Sequence, residues 1–181
     1  MAEGGGALGL WARRALFLLV AGGLVLAGLV PLGGAPRAVP PPEMLFALTL
    51  AWIARRPREV PALSVAAVFL LADLLFLRPP GLHAFVVVAA AEWLRAHPPR
   101  GDEPLAEWGR AGAAILVAGL AEQAILALTL ADGPGFGPGL ARAGLTAAAY
   151  PFAALLVWGA FGARRPRAPA RRPARGPEGA T

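Results

Sequence analysis

The sequence predicts an all-α fold: a polytopic membrane helix bundle of six transmembrane helices with both termini cytoplasmic. Three observations predict it. Hydrophobic residues make up 57% of the 181 and charged residues only 15%, whereas a soluble domain averages about 25% charged. The uncharged residues gather into six long runs. Arginine falls unevenly between alternate loops, which is the signature of membrane orientation.

The runs are taken in chain order. The first, about 15–33, follows Arg13 and Arg14. It could pass for a signal peptide, since the small-residue segment "LGGAPRA" comes next. Pro36 obstructs cleavage there and five more runs follow, so it reads as a retained helix. The others cover about 41–55, 60–77, 81–95, 111–131 and 143–163. A hydrocarbon core takes roughly 17 to 25 helical residues. The first, third, fifth and sixth runs meet that length. The second and fourth are short and must borrow flanking residues, tilt little, or sit inside the bundle. Residues 164–181 are rich in Pro and Arg with no apolar residue larger than Ala, and read as a disordered basic cytoplasmic tail. That tail either anchors the topology or touches anionic lipid or a cytoplasmic partner.

Six crossings from a cytoplasmic N-terminus put 14 arginines inside and 3 outside, the outer ones being Arg37, Arg78 and Arg142. The rule that basic residues stay inside expects this split. It also accounts for the net charge of +6, so nucleic acid is not an expected partner. Trp11, Trp52, Trp93, Trp108 and Trp158 fall at or near cytoplasmic ends, where indoles favour the interface.

The chain is poor in reactive groups. It has no Cys and no Lys, and Ser64 is its only serine, with no recognisable base nearby. His83 and His97 lie toward opposite ends of the fourth helix, about 20 Å apart, and cannot share a metal. "GGGALG" and "GPGFGPG" read as loops and not as phosphate cradles. No enzymatic activity, cofactor or metal is expected.

Four acids lie in or near the membrane runs. Glu43 starts the second helix, where an acid suits the helix dipole. Glu92 precedes Arg95 by three residues and forms a local pair. Asp73 and Glu122 sit at similar depth in the third and fifth helices, where an acid costs on the order of 2.5–3.5 kcal/mol. Both should face protein. Asp73 is expected to be an internal polar clamp with His83 or Glu122 as partner, the second choice implying a shared proton.

"PEMLFALTLAWIARRP" followed by "VFLLADLLFLRPPGLHA" resembles the MreD family of bacterial rod shape-determining membrane proteins. The basic turn Arg55–Arg56–Pro57, then Asp73, then Gly81 and the "GLHA" segment keep that family's order and spacing. Glu43 stands where the family usually has Asp. The resemblance covers roughly residues 40 to 95. It implies a non-enzymatic scaffold of the bacterial cytoplasmic (inner) membrane, supporting cell shape and lateral peptidoglycan synthesis. The implied partners are MreC and, within the elongasome, MreB, RodA and a class B penicillin-binding protein, besides membrane lipids. It marks Glu43, Asp73, Gly81 and His83 as interaction or structural candidates, and the cost of an acid at mid-bilayer adds Glu122. Folds of this family are also similar to the substrate-binding subunits of energy-coupling-factor transporters. The alternative is therefore a small-molecule binding subunit, for which the polar groups Thr49, Ser64, Gln123, Thr129, Thr146 and Tyr150 are thin. Ala114 with Ala118, and Gly144 with Ala148, have the spacing for close helix packing.

Overall fold

The structure is a computed structural model that describes residues 3–30, 40–98, 103–131, 133 and 135–161. The basic tail expected at 164–181 lies outside the described residues, as do the expected helix ends at 31–33 and 162–163. The chain is all-helical. Six helices run in order: α1 Glu3–Leu29, α2 Met44–Arg55, α3 Ala62–Leu75, α4 Leu82–Ala96, α5 Pro104–Thr129 and α6 Phe136–Phe161.

Three of them are long and apolar enough to cross a membrane: α1 over Gly9–Leu29, α5 over its whole length, and α6 over Phe136–Ala160. Large apolar side chains point outward, including Leu19, Leu63, Val117 and Leu128. Glu59, Asp73, His83, Glu107 and Glu122 are buried. Apolar outside and charged inside is the reverse of a soluble domain. This is a membrane protein.

Helix α2 is apolar all round and lies at the centre, packed against α1, α4, α5 and α6. Nine consecutive residues, Leu45 to Ile53, are buried, as expected of a helix without a polar face. Phe17, Ala21 and Val25 bring α1 onto this core, with Phe17 edge-on to Trp52 at 5.5 Å between ring centroids. The pairs α3·α4, α4·α5 and α5·α6 complete the bundle.

Several boundaries differ from the sequence reading. The third run was expected to be long enough to span, but α3 has 14 residues. Pro61 occupies its N-cap and Leu77, at φ 54°, turns the chain out of the helix. Helix α5 begins at Pro104, not at 111, because a proline at the first position is preset for a helix. Helix α6 begins at Phe136, so half of the "GPGFGPG" segment is helical and not loop. Its Pro138 sits in the first turn, where a missing N–H costs nothing.

The close contact of α5 with α6 uses other small residues than the expected pairs. A Cβ built on Gly119 would lie 2.6 Å from the Ala143 Cβ, so only glycine fits. Gly112 faces Ala147 one turn further along α6. Gly144 has nothing within 4 Å of a built Cβ, and Ala148 is exposed. The stripe of α6 that meets α5 is thus one residue out of register with the expected pair. Ala114 and Ala118 are buried as expected, but beside α4.

Candidate functional site

The corner between α3 and α4 explains Asp73. Helix α3 ends in a Schellman motif: Arg78 N–H donates to the Asp73 carbonyl at 2.9 Å, with Leu77 in the left-handed region. Gly81 then sits at the N-cap of α4 with φ 84°, a conformation that favours glycine. Having no side chain, it cannot cap the helix itself. Asp73 does so from the preceding helix. Its Oδ2 accepts the Gly81 N–H and the Ala84 N–H, each at 3.1 Å. A side-chain oxygen normally reaches that third N–H from the cap position itself. One fully buried carboxylate therefore closes α3 through its backbone and opens α4 through its side chain.

This corrects the partner expected for Asp73. Its hydrogen bonds go to backbone N–H groups, not to His83 or Glu122. Those two residues meet each other instead.

His83 Nδ1 lies 3.0 Å from Glu122 Oε2 in a hydrogen bond, and its Nε2 lies 3.0 Å from Glu43 Oε1. The second contact has ion-pair distance without hydrogen-bond direction, which leaves Nε2 without a hydrogen-bond partner. A ring nitrogen lone pair facing a carboxylate oxygen at that distance would repel. The three groups are therefore best served by two protons, one in each contact. Either an imidazolium sits between two carboxylates, or a neutral ring sits beside one carboxylic acid. Arginines complete the cluster. Arg78 Nη1 lies 2.9 Å from Glu43 Oε1, and Arg142 Nη2 lies 3.6 Å from Glu122 Oε1. Burial works against the charge on Arg78, but Glu43 beside it more than offsets this, and its pKa ends above the ordinary value.

Helix ends and aromatic walls hold the cluster in place. Thr146 Oγ1 accepts the Glu43 backbone N–H at 2.8 Å and donates to the Arg142 carbonyl at 2.7 Å. Phe46 and Phe69 pack against the His83 ring with centroids 6.0 and 5.7 Å away. Glu43 stands at the N-cap of α2, as expected of its position, but its carboxylate makes no cap hydrogen bond. The side chain turns to His83 and the arginines. The space left within the cluster is about 20 Å³, enough for one water. Among the described residues, no three of His, Cys, Asp and Glu are arranged to hold a metal ion.

A second cluster lies at the other end of the bundle, where the sequence reading saw only loop residues. Glu59 Oε1 takes Arg13 at 2.8 Å and Arg56 at 3.2 Å, while its Oε2 accepts the Trp52 indole N–H at 3.1 Å. Glu107 Oε1 accepts the Tyr150 hydroxyl at 2.9 Å and pairs with Arg55 at 3.2 Å. Trp52 was expected at the membrane interface. It is 2% exposed and serves as a donor within the bundle. Glu92 and Arg95 pair locally as expected, and Arg95 also reaches the Val60 carbonyl.

The signal for the second cluster was the number of acids set beside arginines and aromatic residues in "RRPRE" and "EPLAEWGR". For the first, it was the placement of Arg78 and Arg142. Both fall where the inside bias expects no arginine, and both find acids of the bundle, the half-buried Glu43 and the buried Glu122.

Comparison with family models, with curated proteins and with solved structures finds no match.

Proposed function

We propose that this chain is an integral membrane scaffold subunit of the bacterial cell-elongation machinery. It resides in the cytoplasmic membrane and supports rod shape and lateral peptidoglycan synthesis with MreC. Through that complex it serves MreB, RodA and a class B penicillin-binding protein. It catalyses no reaction.

The observation that carries the reading is the α3–α4 corner. Asp73 and Gly81 are at the heart of the resemblance to the MreD family, and both are spent on building the bundle. The acids around them are likewise spent on side chains from other helices, tying α2, α4, α5 and α6 into one body. The polar cluster leaves only about 20 Å³ among its side chains, which favours packing over the binding of a vitamin-sized molecule at that place, since ligand pockets hold roughly 300–1,000 Å³.

The topology belongs to this reading. Six crossings place both termini in the cytoplasm, with the His83 cluster toward the outside and the Glu59 and Glu107 cluster inside. Helices α2, α3 and α4 have 12, 14 and 15 residues, about 18–22 Å long. That is short of a hydrocarbon core of about 30 Å, so the bilayer thins around them or the flanking polar clusters lie within it. A reporter active only in the periplasm, fused after Thr181, is expected to be silent. Activity would mean an odd number of crossings or a reversed orientation.

Depleting the protein in its rod-shaped host is expected to produce round cells, unchanged by any vitamin supplement. Rods that persist under depletion, or growth rescued by one vitamin, would sink the scaffold reading and favour transport.

A further inference from the structure

A furrow of about 390 Å³ runs between α4 and α5. Phe85, Ala89 and Trp93 line it from α4, and Ala113, Val117 and Ala121 from α5. Alanines on both helices keep it open, and among the described residues no element covers it. On α5, residues 114, 117 and 121 follow Arg110 at four, seven and eleven positions, so Arg110 continues the same face. The Nη1 of Arg110 is buried without a hydrogen-bond partner among the described residues. Arg110 itself is partly exposed, so an anion can reach the side chain and offset the cost of that unpaired nitrogen.

We propose that this furrow holds one anionic phospholipid of the cytoplasmic leaflet, with an acyl chain between α4 and α5 and the phosphate against Arg110.

Length supports a lipid over a partner helix. From Arg110 to Ala121 is eleven residues, about 16 Å along the axis. One leaflet of hydrocarbon is about 15 Å deep, half of the core. A transmembrane helix of a partner would need a seam about twice as long. The basic tail at 164–181 has no apolar side chain larger than Ala with which to fill the furrow. Trp93, 42% exposed, stands beside the Arg110 end with its ring stacked on His97, and an indole suits the headgroup level. Anionic lipids are enriched where juxtamembrane arginines collect.

The leaflet assignment rests on the proposed topology, in which α5 starts at the cytoplasmic side. A reversed orientation would move the lipid to the outer leaflet without changing binding in detergent, so the two claims fail separately.

The test is native mass spectrometry of the delipidated full chain in detergent, with phosphatidylglycerol and phosphatidylethanolamine of the same acyl chains added in turn. One phosphatidylglycerol is expected to be retained with a preference of about tenfold, because both lipids bring a phosphate but the ethanolamine ammonium is repelled by Arg110 and offsets its own phosphate. Arg110→Gln is expected to erase the preference, leaving both lipids weakly bound. Ala113→Phe, placed on the exposed rim, should fill the furrow and lower retention of both. Val117→Trp, at a position 68% exposed, fills it a second way should the first variant not fold. No preference in the unaltered protein, or a preference that survives both kinds of variant, would overturn the proposal. So would photo-crosslinking from position 113 to a polypeptide instead of lipid in native membranes.

Discussion

Replacing His83 by leucine is expected to destabilise the folded bundle by about 3 kcal/mol, the low end of the range for removing one partner from a buried charge pair. His83 is 3% exposed and stands between Glu43 and Glu122. Without it, two buried carboxylates face each other's field with only Arg78 and Arg142 to hold them. Those arginines are why the low end applies. Thermal unfolding in detergent should show a drop of about 6–12 °C for a chain of this size. His83→Gln keeps one donor and should fall between the two. Adding Glu122→Gln to His83→Leu removes one of the stranded charges and should recover part of the loss. A midpoint for His83→Leu within a degree of the unaltered protein would mean that the cluster adds nothing to stability.

Asp73→Leu is expected to cost about 1–3 kcal/mol. The substitution strands the buried N–H groups of Gly81 and Ala84, each carrying the penalty of an unmet donor. The estimate stays modest because hydrogen bonds within membrane bundles average only about 0.6 kcal/mol in double-mutant cycles. Asp73→Asn separates charge from shape. Its amide oxygen can take the place of Oδ2, and its amide nitrogen falls where Oδ1 already lacks a partner. It should therefore lose under about 1 kcal/mol, at the lower end of what a cap contributes. The two variants are compared by the same unfolding midpoint and by their ability to restore rod shape in depleted cells. Equal, severe loss in both would show that the charge itself is needed, contrary to the capping geometry.

The helical class and the six elements were legible because hydrophobic run length and turn residues are local signals, whereas the central place of α2 was one of three options its short length left open. Element ends were less so. Where Pro104 and Phe136 start their helices, the helix extends through polar or glycine-rich sequence that reads as loop until its packing is known. Cost alone placed Asp73 and Glu122 inside the bundle, since neither can face lipid. Their partners could not be read, because pairing depends on how helices rotate against each other. Asp73 points along the chain at the start of α4 and meets backbone there. Glu59 and Glu107 give no comparable signal, because both lie in polar segments between the membrane runs; Glu59 folds back against Trp52, and Glu107, in the first turn of α5, meets Arg55 and Tyr150. Two of the three arginines expected outside, Arg78 and Arg142, were the legible hint that acids waited at that end.

The central claim is that this bundle acts by holding a protein partner and not by binding a solute. It is tested most directly by purifying the tagged chain in mild detergent from its own host and identifying what comes with it. The account predicts near-stoichiometric recovery of an MreC-type protein, with recovery lost alongside stability in His83→Leu. Recovery of a transporter's ATPase module in its place, with no MreC-type protein present, would contradict it.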